Sequence, residues 1–335
     1  MSRISRRAFV ASGGVLATAP FFPAIIRPAH AAVTLTLGHG AAPGNPRAVA
    51  AAKFAELVAA KSQGKVRVNI AGAEQLGSDA AMLTSLRTGA LDFSINSQGP
   101  VGNVVPEINV LGLPFLFQSA DQAVKVLSGD VGKDLAQRLE PAGLSLLSWW
   151  DNGIRHVTNS KRAVQTPADL KGLKLRVPSD VMLMDVFKSL GASTEQIAFG
   201  ELYIALQQGV VDGQENPLAN IESSKLYEVN RFISLTGHVW QSNPFLMSRI
   251  ARAKVGEPEL KAIQEAAEEA GALQRQLMRD ADTQLLAKYR ADGKLQVNEV
   301  DPAPFREATA PVIEAWRKKS KVGPFVERLV DAAKS

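Results

Sequence analysis

With 335 residues, 46% of them hydrophobic and 21% charged, the chain has the make-up of a soluble globular protein long enough for about two domains. Its formal charge of +5 sits at the start: Arg3, Arg6, Arg7 and Arg27 meet no acid in the first 31 residues, and the remainder carries 34 basic against 33 acidic side chains. So neutral a body offers no footprint for nucleic acid or an anionic membrane, and the lack of cysteine excludes disulfides, thiolate catalysis, zinc–thiolate sites and a lipoprotein anchor.

The N-terminus reads as an export signal. Basic RISRR precedes an uncharged run from Ala8 to Ile26, and Ala29-His30-Ala31 then marks a cleavage point after Ala31. SRRAFV (Ser5–Val10) resembles the twin-arginine export signal, with Arg6-Arg7 as the receptor-read pair. A membrane anchor is the competing reading, since the run is nearly long enough to span, but Gly13, Gly14, Pro20 and Pro23 weaken a helix there. Cleavage is the expectation. It leaves residues 32–335 outside the cytoplasmic membrane, with no segment of their own that spans it.

Val33–Gly40 (VTLTLGHG) alternates as a short strand and runs into a Gly/Pro-rich loop. Asn45-Pro46 supplies a cap and a proline at the first helical position, opening an Ala-rich helix to Ser62 that closes at Gly64. Lys65–Ile70 is the next strand. The loop AGAEQLGSD leads into a helix over Ala80–Thr88, ended by Gly89, and then into the strand LDFSIN. The grammar restarts at Thr166-Pro167, which caps a short helix ended by Gly172. Leu173–Pro178 (LKLRVP) is a strand and Ser179–Leu190 a helix; STEQIAF follows, then a helix over Gly200–Gln208 stopped by Gly209 before VVDGQENP. This alternation predicts an α/β protein with largely parallel sheets.

One phrase is written twice. LRTGALDFSIN (Leu86–Asn96) and LQQGVVDGQEN (Leu206–Asn216) align without gaps as Leu-x-x-Gly-x-(Leu/Val)-Asp-x-x-x-Asn. Each is a helix end, a glycine able to turn left-handed, a buried strand, and a polar residue where the strand runs out. Such joints recur in α/β proteins, but here each copy sits in a similar unit in a different half of the chain. Ligands bind beyond the carboxyl ends of strands in open α/β sheets. Two lobes facing those ends together form a cleft, with Asn96 near one wall and Asn216 near the other. Farther on, Pro258 to about Ala291 is helical; about 34 residues reach about 50 Å, beyond the roughly 30 Å of a small domain. Apolar Leu260, Ile263, Ala267, Ala270, Leu273 and Leu277 predict that this helix braces both lobes, with a coiled-coil partner as the alternative.

Enzyme signatures are missing. His39, His156 and His238 have no metal-ligand spacing and no carboxylate cluster beside them. GHGAAPG begins like a dinucleotide fingerprint, but Pro43 and the absent third glycine spoil it. No Walker lysine and no Gly-x-Ser-x-Gly elbow occur, so no metal and no cofactor are expected. The informative polar residue is Arg176. In LKLRVP, Leu173, Leu175 and Val177 share one face and Lys174 and Arg176 the other, while Pro178 ends the ladder and leaves Arg176 at the carboxyl end. A guanidinium there matches a carboxylate as a rigid fork, contributing about 1.5–3 kcal/mol when dry. Periodicity alone favours a salt-bridged surface arginine.

GLKLRVP, AFGELYIALQQGVVDGQENPLANI and KLYEVNRFISLTGH, with QLGSD near Gln75 and NGIRHVTNSKR near Arg155, resemble the solute-binding proteins of tripartite ATP-independent periplasmic (TRAP) transporters. The likeness runs in order over essentially all of the mature chain. It implies a two-lobed, periplasmic-binding-protein-like α/β fold that closes on a small organic acid, and a periplasmic receptor serving membrane permease subunits. It gives Arg176 the main carboxylate, Arg155 a second acidic or hydroxyl group, Asn216 the same ligand end and Phe199 a packing position. His39, Glu74, Asn96, Ser97, Trp150 and Asn152 fall on loops that face the cleft in relatives. Lobe I is then expected at 32–152 with 242–281, and lobe II at 153–241 with 282–335. Two rivals are an exported enzyme using Glu74 or His39 as base, and a binding protein that feeds a sensor. Two arginines with Trp149, Trp150 and Trp240 leave a dicarboxylate, a sugar acid or an aromatic acid open as ligand.

Overall fold

Capping chemistry sets most element boundaries. In the computed structural model, which describes residues 32–334, Asn45 Oδ1 accepts from the Arg47 amide at 2.9 Å and Pro46 opens helix Pro46–Lys61. Ser78 caps Asp79–Thr88, Asp180 caps Val181–Ser189, and Thr166 with Asp169 forms a capping box at Pro167–Leu170. Gly89 and Gly209 have φ of +79° and +70°, the left-handed turn their helix ends require. The export signal, twin arginines and cleavage point expected within 1–31 lie outside the described residues.

Among the described residues nine strands form one sheet. They are β1 (Val33–His39), β2 (Val66–Ala71), β3 (Phe93–Ile95), β4 (Leu144–Asn159), β5 (Lys174–Val177), β6 (Ser193–Gln196), β7 (Gly213–Asn216), β8 (Phe232–Ser248) and β9 (Gln296–Glu299). Their order is β2-β1-β3-β8-β4-β7-β5-β6, with β9 beside β8. β2, β1 and β3 run parallel in the first half, and β7, β5 and β6 in the second. Between them lie β4 and β8, antiparallel to each other and 16 and 17 residues long. This corrects the largely parallel sheet expected. Both faces of the long pair are buried over most of its length, so it lacks the alternation that marks a strand in sequence. Its register slips between Asp151 and Gly153, leaving Asn152 as the extra residue of a bulge.

The doubled phrase is a joint between strands, and its aspartate does the joining. Asp92 Oδ2 accepts the Thr36 amide on β1 at 2.8 Å, and Asp212 Oδ2 accepts the Lys174 amide on β5 at 2.9 Å. The backbone carbonyls of the same two residues accept from Ser248 and Ser160, each at 2.9 Å.

The long helix, Glu257–Ala291, has 35 residues, a length of about 52 Å. Ile263, Ala266, Ala267 and Ala270 join a core with Phe54, Phe93, Trp150 and Phe245; Tyr289, Leu285 and Leu286 join another with Leu202, Leu206, Ile221 and Ile233. It thus braces both halves, on a stripe turned from the one expected: Gly271, Gln274 and Met278 are buried, while Leu273 is 36% exposed. A Cβ at Gly271 would stand 2.8 Å from Trp150 Nε1, so the helix rests on β4 at its smallest residue. In the first core Phe54 meets Phe93 and Phe245 edge to face at 5.6 and 4.7 Å, pairs that contribute about 0.5–1.5 kcal/mol each beyond their area. The last helix, Gly323–Lys334, packs on Ala120–Leu127 and Asp130–Leu139, with Arg328 paired to Asp134, so a segment expected with lobe II lies against the first half. No described helix is long and apolar enough to cross a membrane.

Candidate functional site

Strands of both halves point their carboxyl ends at one cavity of about 220 Å³. Gly40 after β1, Ser97 after β3, Pro178 and Ser179 after β5, and Phe199 after β6 line it, as does Asn216 at the end of β7. Glu74 enters from the loop after β2, Arg47 from the first turn of Pro46–Lys61, and Asn152, Arg155 and Gln241 from the central pair.

Arg176 is 3% exposed. Its Nε donates to Ile197 O at 2.8 Å, and its guanidinium carbon stands 5.8 Å from the Phe199 ring centroid. Among the described residues no carboxylate ion-pairs with it. Burial pulls its pKa down to about 10, against the nearby charge of Glu215, so the group is charged at neutral pH.

Arg155 is already matched. It lies two residues before Val157, the partner of Glu215 in the β4–β7 ladder, and holds both oxygens of that carboxylate, Nη2 donating to Oε1 at 2.7 Å and Nε to Oε2. Burial raises the Glu215 carboxyl, but the Arg155 charge and fork override it and hold the group below the usual range. Asn216 Oδ1 accepts from Arg155 Nη2 at 3.3 Å and from Asn220 Nδ2 at 3.0 Å. Asn220 also donates to Asn152 Oδ1 at 3.2 Å and accepts from Asn45 Nδ2 at 2.9 Å, so an amide chain runs from one side of the cavity to the other.

Glu74 is presented by a strained turn. Ala73 and Glu74 have φ of 51° and 58°, which costs non-glycine residues about 1–3 kcal/mol each. The carbonyls of Ala41 and His39 hold their amides in place. So held, Glu74 Oε2 accepts the Gly200 amide at 2.8 Å from the far side of the cavity. Burial raises its pKa, the Gly200 hydrogen bond opposing and Asp79 adding.

Glu74, Ser97, Asn152, Arg155, Arg176, Phe199 and Asn216 therefore share the cavity as the sequence suggested; Trp150, His39 and Asn96 do not line it. In a regular strand Trp150 and Asn152 would face the same way, but the bulge separates them. The fully buried indole of Trp150 donates to Ala267 O at 3.1 Å, under the long helix. His39 turns beneath Gly72, where a Cβ would come within 2.8 Å of its ring; burial, then Arg47, lowers its pKa to about 4 and keeps it neutral. Asn96 buttresses the wall from behind, donating to Asp79 O at 2.9 Å and Ser94 Oγ at 3.2 Å.

The lining residues not anticipated include Arg47, Asp79, Asn220 and Gln241. Arg47 is 4% exposed, its Nε has no partner, and no carboxylate pairs with it among the described residues. A signal existed, because a cation in the first turn of a helix that has no acid there opposes the helix dipole. Asp79 Oδ2 accepts the Ser97 amide at 3.1 Å and Gln241 Nε2 donates to Asp180 Oδ2 at 2.6 Å; Asp79 Oδ1 and Gln241 Oε1 have no donor among the described residues.

Residues 37–319 match the family described as bacterial extracellular solute-binding protein, family 7. An uncharacterised protein of Sinorhizobium fredii (strain NBRC 101917 / NGR234) is 61% identical over 319 residues, 95% of this chain; the chain spans 59% of that protein's length. The crystal structure of the sugar acid binding protein DctPAm from Advenella mimigardefordensis strain DPN7T, in complex with galactonate, aligns with a TM-score of 0.87 at 37% identity, over 90% of this chain and 98% of that one. A TRAP periplasmic solute binding protein from Polaromonas sp JS666 bound to D-erythronate gives a TM-score of 0.86 at 35% identity, over 90% and 98% of the two chains.

Proposed function

Because the chain belongs to bacterial extracellular solute-binding protein family 7, whose members include the receptors of TRAP transporters, we propose that it captures a small organic acid in the periplasm and hands it to the permease subunits of such a transporter. The family is one of binding proteins, not enzymes. Arg176 carries the reading. It is a buried, charged guanidinium at the strand ends, with no ion-pair partner among the described residues. Burying a charge without a partner is costly, and a ligand carboxylate removes that cost through two parallel N–H···O bonds. Arg155, neutralised by Glu215, and Asn216 orient the same ligand end, and Phe199 packs beside it. The galactonate and D-erythronate held by relatives support a hydroxylated or simple carboxylate as cargo.

In this reading lobe I comprises 32–152 with 242–281, and lobe II comprises 153–241 with most of 282–335, the terminal helix clasping lobe I. Ligand bound between the lobes stabilises the closed form, in which Glu74 meets the Gly200 amide. The segment 1–31 directs export and is removed. Thermal-shift screening of organic acids finds the cargo, since a saturating ligand raises stability by RT ln(1 + [L]/Kd). Calorimetry with that acid then tests the site. Arg176→Ala weakens binding by at least about thirtyfold, the low end for losing a buried charge pair. Arg176→Lys keeps the charge, loses the fork, and falls in between. Wild-type affinity in Arg176→Ala removes the assignment.

A further inference from the structure

We propose that the cavity selects a polyhydroxylated monocarboxylate over a dicarboxylate, because Gln241 and Asp79 offer it hydrogen-bond acceptors that ligand hydroxyls satisfy and a second carboxylate does not. The inference rests on Arg176 as the carboxylate site and concerns the rest of the ligand.

A glutamine amide can ordinarily turn either end toward a partner. Asp180 removes that freedom from Gln241. It is fully buried; its Oδ1 accepts the Met182 and Leu183 amides at 2.9 and 3.0 Å, and its Oδ2 accepts Gln241 Nε2 at 2.6 Å. An ionised carboxylate is an acceptor only, so the amide nitrogen must face Asp180 and the amide oxygen must face away from it. Gln241 is 1% exposed, lines the cavity, and its Oε1 receives no hydrogen bond. Asp79 supplies the second acceptor. Its Oδ2 is taken by the Ser97 amide, and its buried Oδ1 is bare. Glu74 adds a third acceptor, a carboxylate, to the same lining.

The cavity also has donors in surplus, from Arg176 and from Arg47, whose Nε is unpartnered. Its complement is therefore a molecule that brings one anionic group and several groups able both to give and to receive a hydrogen. Hydroxyls do both. An ionised dicarboxylate without hydroxyls has no hydrogen to give and leaves Gln241 Oε1 and Asp79 Oδ1 bare, and any diacid sets its second charge in a lining where Glu74 and Asp79 already stand beside Arg47. A site built to bond a hydroxyl discriminates strongly against ligands lacking it, because its own buried polar groups then go unpaired.

Isothermal titration of the mature chain compares erythronate and galactonate with succinate, adipate and galactarate. The better aldonate is expected to bind at least about tenfold more tightly than succinate or adipate, the effect of one buried acceptor left bare, and more tightly than galactarate, whose hydroxyls fill the acceptors but whose second charge meets Glu74 and Asp79. Asp180→Asn then turns the amide round. The new Nδ2 donates to Gln241 Oε1, so Nε2 takes its place at the cavity, while the new Oδ1 still caps the helix. Aldonate affinity should hold or fall, since a hydroxyl also accepts from Nε2, while diacid affinity should rise at least about tenfold, a change of ranking that general loosening does not produce. Asp79→Asn should shift the ranking the same way. A diacid that binds wild type as tightly as the aldonates overturns this inference and leaves Arg176 standing, as does an equal loss for every acid in Asp180→Asn. No binding by any carboxylate in this set or in the wider thermal-shift screen removes the carboxylate reading, and this inference with it.

Discussion

Arg155 and Arg176 line one cavity and should fail in opposite ways when truncated. Arg155→Ala strands Glu215 in the interior without its fork, a loss of about 3–5 kcal/mol for a broken buried pair. Arg176→Ala deletes a cation that has no ion-pair partner among the described residues, so the ligand-free protein should keep its stability or gain some. Urea unfolding without ligand checks both; a loss in Arg176→Ala matching that of Arg155→Ala would make Arg176 a structural residue. The two differ in legibility as well. Pro178 announces that Arg176 sits where a strand stops, and that local cue needs nothing from elsewhere. The state of Arg155 depends on a residue 60 positions on, and the orientation of Gln241 on one 61 positions back. No short window contains such pairs. Trp150 was misplaced for a local reason, a bulge of one residue, which leaves no mark in composition.

Short elements were readable because their ends carry their own chemistry. Asn45-Pro46, Thr166-Pro167, Gly89 and Gly209 each satisfy or release backbone groups within a few residues, and the structure begins or ends elements at all of them. β4 and β8 escaped because burial on both faces erases the period-two signal. The doubled phrase gives an element-scale test. Ala at Gly209 has open space and bears only the left-handed backbone, about 1–2 kcal/mol. Ala at Gly89 meets Ile250 Cδ1 at 2.7 Å as well, so Gly89→Ala should lower the denaturant midpoint further than Gly209→Ala. Equal losses would mean that Ile250 swings aside. Asp92→Ala and Asp212→Ala should each cost about 1–3 kcal/mol, since each bares a strand amide.

Over the whole molecule, acid sensitivity is set by two opposed groups of buried side chains. Burial raises Asp151 and Asp180 from 3.8 to about 6 and Asp282 to about 7. Between those values and 3.8 the folded state keeps protons that the unfolded chain has shed, so these groups remove stability as pH rises through that window. Burial lowers His39 and His156 from 6.5 to about 4 and about 3, so the unfolded chain takes up protons the fold refuses and stability is lost as pH falls below 6.5. The slopes oppose each other, and stability should be nearly level in the overlap. Asp282→Asn takes one member from the acidic side of the balance: its stability should gain on wild type as pH rises from about 4 to 7, by urea titration at stepped pH. A gap that does not change with pH would show that Asp282 titrates normally. The central ribbon has a mechanical consequence too. β4 and β8 stay laddered to each other on either side of Asn152, and Gln274 grips Asp151 by amide and carbonyl at 3.0 and 2.6 Å. A ribbon resists shear along its ladder and yields across its flat direction, so the soft coordinate left to the molecule is flexing about a line near Gly153, whose φ of +107° only glycine holds easily. In the closure proposed above the halves shut like a book on its spine, in one way only, and a permease would meet the same silhouette whichever cargo lies between the covers.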